Sequence, residues 1–141
     1  MVIGPPAHLV EPARNATCPG RPINAEISPV PQTITTGCKA LVEAAEREIE
    51  TLSVEAAADL SGRDDTVFVD LRDPRELERE GRMPGAFHCP RGMLEFWIDP
   101  ESPYHKPVFA EDKRFVFFCG GGWRSALAAK AAQDMGLKPV A

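Results

Sequence analysis

The chain lacks several features that would assign whole classes of function at once. No stretch approaches the roughly 20 apolar residues needed to span a bilayer, and the N-terminus lacks the charged-then-apolar order of a secretory signal. Basic excess is absent too: 16 Lys and Arg against 21 Asp and Glu leave a net charge of −5, which argues against a nucleic-acid surface. The four cysteines, Cys18, Cys38, Cys89 and Cys119, stand singly with no Cys-x-x-Cys pair. His8, His88 and His105 add no metal-ligand spacing. These absences predict a reduced, cytoplasmic protein with no metal and no cofactor. With 141 residues and an ordinary share of apolar and charged side chains, the chain fits one domain.

Proline is unevenly spread. Seven of the 14 lie between Pro5 and Pro31, where no hydrophobic period survives. Proline removes N–H donors and disfavours helix at the residue before it, so residues 1–36 are expected to form a flexible or extended tail. No function is expected of Cys18. Residues 37–141 are expected to form the folded domain.

The most informative segment is an apolar run, Phe115-Val116-Phe117-Phe118, ending in Cys119 and followed by Gly120-Gly121-Gly122-Trp123-Arg124-Ser125 and an alanine-rich helix. The run suits a buried parallel strand. Three glycines let the backbone turn sharply and aim successive N–H groups at one point. The helix adds its free N–H groups and positive dipole end there. A thiol so placed should ionise easily, and Arg124 supplies a positive charge for an anion.

This order resembles the active-site loop of the rhodanese (sulfurtransferase) family, Cys-x-x-Gly-x-Arg-Ser, with Cys119, Gly122, Arg124 and Ser125 on its positions. A second segment resembles the same family. Thr66 to Asp70 reads as a strand, Asp73 as an N-cap, Pro74 as the first helical residue and Glu76 as the third. Gly81-Arg82-Met83-Pro84-Gly85-Ala86 then looks like the family's Gly-His-Ile-Pro-Gly-Ala turn, with Arg82 in place of histidine. The resemblance runs from about residue 50 to 140. It implies a small α/β/α sandwich with a mostly parallel sheet, in which ligands collect at the carboxyl ends of strands. It also implies that the helix after Ser125 is followed by a strand inside the sheet, a glycine-rich turn and a closing helix. The chain carries only Leu137 to Ala141 beyond that helix, so the domain is expected to lack its C-terminal strand and helix.

Other elements follow from pattern. Leu41, Val42, Ala45 and Ile49 recur at helical spacing, with Glu43 placed to pair with Arg47. A short strand is expected near Glu50-Thr51-Leu52, and Ser53 should cap a second helix. The last helix should bury Leu127, Ala128, Ala131 and Met135.

The implied chemistry starts from the Cys119 thiolate, which attacks the outer sulfur of a donor such as thiosulfate and keeps it as a persulfide. A thiol or cyanide then accepts that sulfur. Gly120, Gly121, Gly122, Trp123, Arg124 and Ser125 are the expected substrate-binding residues, their amides facing the anion. Asp70 and Arg72 are candidate loop supports, although a structural carboxylate and a local ion pair are the plainer readings. Cys89 is a candidate resolving thiol, but a small buried cysteine is the commoner case. His88 is read as packing, and the Phe96-Trp97 pair as core. Two other classes compete with a sulfurtransferase. Cysteine phosphatases and arsenate reductases use related loops with five residues between Cys and Arg, whereas here four intervene. A non-catalytic binding module would keep the loop without its reaction. Small sulfur anions and a thiol or cyanide are the expected partners, with no nucleic acid and no membrane; donor, acceptor and oligomeric state are not encoded legibly.

Overall fold

The computed structural model describes residues 32–141, and the proline-rich segment lies outside the described residues up to position 31. Helix α1 (Cys38–Glu46) buries Val42 and Ala45 but leaves Leu41 exposed. Its surface ion pair joins Lys39 to Glu43 rather than Glu43 to Arg47, because the helix stops at Glu46 and Arg47 is only its cap. Helix α2 (Val54–Leu60) begins where Ser53 accepts a hydrogen bond from the Ala56 amide at 3.1 Å. The segment Glu50–Leu52, expected as a strand, carries no ladder, for it has no paired neighbour among the described residues.

Strand β1 (Thr66–Asp70) leads into α3 (Pro74–Glu80), which opens with the expected capping box. Asp73 accepts from the Arg75 amide, and Glu76 reaches back to the Asp73 amide at 2.9 Å. Strand β2 (Phe87–His88), helix α4 (Leu94–Ile98) and strand β3 (Arg114–Phe118) follow, and α5 (Trp123–Asp134) closes the order. The three strands form one parallel sheet in the order β2-β1-β3, with Asp70 beside Phe118 and Val69 beside Phe87. This is the α/β architecture expected from strands alternating with helices.

Alternation along the strands assigns two faces. Val69, Phe115 and Phe117 join Leu71, Leu94, Ile98, Phe109 and the alanines of α5 in the main core. The α5 side chains that bury fully are Ala126, Ala128, Ala129 and Ala132. Leu127 and Ala131 are only half-buried, and Met135 is exposed, which corrects the expected face. These four small residues lie on a helix that packs against α1, β3 and α4. On the opposite face Phe68, Val116 and Phe118 line an apolar cavity of about 770 Å³, bordered by Leu52, Val54 and Ala57 and reaching Cys119.

Beyond α5 the chain returns to the sheet. The Phe115 amide donates to the Pro139 carbonyl at 3.0 Å, and Phe117 donates to Ala141 at 2.8 Å. Val140 forms an isolated parallel bridge to Phe115, so Pro139–Ala141 pairs with the free side of β3.

Candidate active site

Cys119 sits directly after β3, at the carboxyl edge of the sheet, and is half-buried. The turn that follows depends on Gly122, whose φ of 83° lies in the left-handed region and which serves as the N-cap of α5. That reversal points the amides of Gly121, Gly122 and Ser125 at the sulfur. Burial opposes ionisation of the thiol, yet the amides of Gly121 and Ser125, the Ser125 hydroxyl and the Gly122 amide outweigh it. The Cys119 thiol is therefore held below its ordinary value. Its Sγ lies 3.7 Å from Ser125 Oγ.

Arg124 is fixed by a residue that sequence reasoning assigned only to capping. Its Nη1 donates to Glu76 Oε2 at 2.6 Å and its Nη2 to Oε1 at 2.8 Å. The same Oε2 accepts the Asp73 amide, so one carboxylate both caps α3 and grips the arginine of the Cys119 loop. The arginine hydrogen bonds, with the Asp73 amide next, hold Glu76 down to about 2. Glu76 raises the Arg124 guanidinium further above its ordinary value, and the Cys119 sulfur adds to this. Nothing local in the sequence announces the pair, because 48 positions separate its members.

The remaining candidates divide. Gly120 lies against the ion pair: a Cβ there would stand 3.6 Å from Arg124 Nη2 and 3.9 Å from Glu76 Oε1. Trp123, the first residue of α5, is exposed. Asp70 is buried and takes Arg72 Nε at 2.9 Å, Arg72 Nη2 at 2.7 Å and the Arg72 amide at 3.1 Å. Arg72 continues to the Gly81 carbonyl at 3.0 Å and to Glu80 at 3.4 Å. Asp70 and Arg72 thus tie the end of β1 to the turn after α3, and their hydrogen bonds run there rather than to residues 120–125. Burial works against the Asp70 charge, but its bonds from Arg72 prevail and lower it. His88 Nε2 bonds the Arg72 carbonyl at 2.8 Å. Cys89 is fully buried in the core, and burial pushes its thiol up to about 12. Phe96 is exposed, while Trp97 packs edge-on against Phe87.

A family model for the rhodanese-like domain matches residues 53–141. The chain belongs to the rhodanese-like domain family. Within this rhodanese-like domain the match takes in both the Asp70 strand and the Cys119 loop. A solved structure from Rhodopseudomonas palustris CGA009, described as a protein of unknown function and possible tyrosine phosphatase, is 66% identical, with a TM-score of 0.76 over 78% of this chain and 85% of that one. None of the curated proteins matches. Among the described residues, no helix is long and apolar enough to cross a membrane.

Proposed function

We propose that this rhodanese-like domain is a sulfurtransferase of a reducing, cytoplasmic compartment, carrying sulfane sulfur on Cys119. The observation that carries the reading is the convergence of the Gly121, Gly122 and Ser125 amides on a thiol held below its ordinary value. The thiolate attacks the outer sulfur of thiosulfate or a persulfide. A Cys119–sulfur bond forms, the donor's sulfur–sulfur bond breaks, and sulfite or a thiolate leaves with the electron pair. The terminal sulfur of the enzyme persulfide is then an anion facing the same amides, which act as preorganised dipoles. A thiolate or cyanide attacks that sulfur and regenerates Cys119. Gly120, Trp123 and Arg124 complete the loop around the anion.

Intact mass before and after thiosulfate, with Cys119→Ser alongside, tests the reading. A gain of one sulfur atom, removed by cyanide and absent from the variant, supports transfer. No gain in a folded chain refutes it.

A phosphatase is the second reading, favoured by the description of the Rhodopseudomonas palustris structure as a possible tyrosine phosphatase. Against it stands the loop length: only Gly120 to Trp123 lie between the nucleophile and Arg124. Hydrolysis of p-nitrophenyl phosphate dependent on Cys119 would favour the phosphatase. Partner binding that survives Cys119→Ser, with neither reaction present, would favour a binding module.

A further inference from the structure

Resting on the sulfurtransferase reading, we propose that Glu76 is a positioning residue that sets the charge of the Cys119 loop, so that the site takes singly charged sulfane-sulfur anions in preference to dianions. An arginine left free beside a thiolate and a ring of amides would favour a dianion. Here both ends of the guanidinium fork are already held by one carboxylate, at 2.6 and 2.8 Å. The pair is not a distant surface bridge. Its Arg124 Nη2 and Glu76 Oε1 would stand 3.6 and 3.9 Å from a Cβ placed on Gly120, the first residue of the loop. Glu76 is also anchored from behind by the Asp73 amide at 2.9 Å, so swinging away would uncap α3.

The charges decide the preference. Thiolate, guanidinium and carboxylate together sum to one negative charge at the loop. A dianion arriving there meets Glu76 as well as Cys119, with Arg124, the amide dipoles and a weaker contribution from Arg79, itself paired with Glu80, to offset both. A persulfide or a thiosulfonate brings one negative charge and loses less. The two donor types can be compared with the same bond broken. Methanethiosulfonate and thiosulfate both present an outer sulfur on a sulfonyl sulfur. Attack by the Cys119 thiolate yields the same persulfide, releasing methanesulfinate from the first and sulfite from the second.

Glu76→Gln is the informative variant, since glutamine keeps the capping role at the third helical position and one bond to Arg124 while removing the charge. Two readouts are taken at low ionic strength. One is the ratio of kcat/KM for thiosulfate over methanethiosulfonate. The other is the ratio of alkylation rates at Cys119 for iodoacetate over iodoacetamide, followed by peptide mass. Both ratios should rise about threefold or more in Glu76→Gln and converge with wild type as salt is added. Circular dichroism and a urea midpoint establish that the variant is folded. Unchanged ratios in the folded variant overturn the proposal, as does an equal fall for both donors, which a structural role alone would give. A shifted alkylation ratio in a protein that takes sulfur from neither donor would uphold Glu76 as the charge-setting residue and defeat the sulfurtransferase reading instead.

Discussion

Ser125 Oγ stands between two partners: it donates to the Gly122 carbonyl at 2.8 Å and accepts the Cys119 thiol at 3.7 Å. Once Cys119 is ionised the sulfur has no proton to give, and the hydroxyl can stabilise it only by turning to donate. Ser125→Ala removes that donor while leaving the Gly121 and Gly122 amides, and the backbone amide of the substituted residue, in place. The thiol should then titrate higher, and alkylation of Cys119 near neutral pH should slow by roughly threefold to tenfold. Thiolate absorbance against pH checks the direction. An unshifted titration would mean that the amides alone set the ionisation.

The three described cysteines should react in a fixed order. Cys119 is half-buried with its thiol lowered, Cys38 is exposed, and Cys89 is fully buried with its thiol at about 12. Iodoacetamide at pH 7 to 8 should label Cys119 first, Cys38 next and Cys89 not at all until the chain unfolds. Labelling of Cys89 in the folded protein would show that the core around Leu71 and Leu94 opens, and would revive a resolving role for this thiol.

The local grammar of the site was readable from sequence, and its tertiary partners were not. A strand ending in Cys119, glycines that permit a reversal and a helix start are neighbours in the chain, so their geometry follows from short-range rules. The Asp73, Pro74 and Glu76 start of α3 was legible for the same reason. The grip of Glu76 on Arg124 depends on how α3 and α5 meet, which no local pattern encodes. The strand expected at Glu50–Leu52 failed similarly, since an extended segment becomes a strand only when another pairs with it. Helix α5 misled through composition: with alanine nearly all round, several faces were equally apolar, and packing against α1, β3 and α4 selected Ala126, Ala128, Ala129 and Ala132.

Asp70 and Arg72 should matter for stability more than for chemistry. The carboxylate is buried and accepts four hydrogen bonds from Arg72. Asp70→Ala leaves a guanidinium that is mostly buried with only Glu80 and the Gly81 carbonyl as partners. The expected cost is about 3 kcal/mol or more, read as a lower urea midpoint. Where the variant remains folded, the Cys119 alkylation rate should change little. A large fall in that rate would assign Asp70 to the loop after all.

Gly122 should be intolerant of a side chain for a backbone reason. Its φ of 83° is left-handed, yet a Cβ there would meet nothing within 4 Å. Gly122→Ala therefore tests conformation without adding a clash. It should destabilise by about 1–2 kcal/mol, or relax the turn and release the amides from the sulfur. In the second case the Cys119 thiol rises toward its ordinary value. Thiolate titration and a urea midpoint together separate the two responses, and a variant unchanged in both would show that the reversal at Gly122 is not needed.

Acid should expose the Glu76 contribution. Its carboxyl drops from an ordinary 4.5 to about 2 on folding, chiefly through the bonds from Arg124. A group depressed in the folded state stabilises fully above its unfolded value, and that share is lost as pH falls toward the folded value. The window therefore opens near pH 4.5 and closes near 2. Asp70 is lowered too and acts in the same direction, so wild type alone cannot isolate Glu76. The useful quantity is the difference in urea midpoint between wild type and Glu76→Gln, taken at several pH values. It should be constant from pH 7 to about 5 and shrink below that, because glutamine has no proton to take up. A difference independent of pH down to 2.5 would mean that Glu76 carries no more charge-dependent stabilisation folded than unfolded, and that its grip on Arg124 is not maintained in solution.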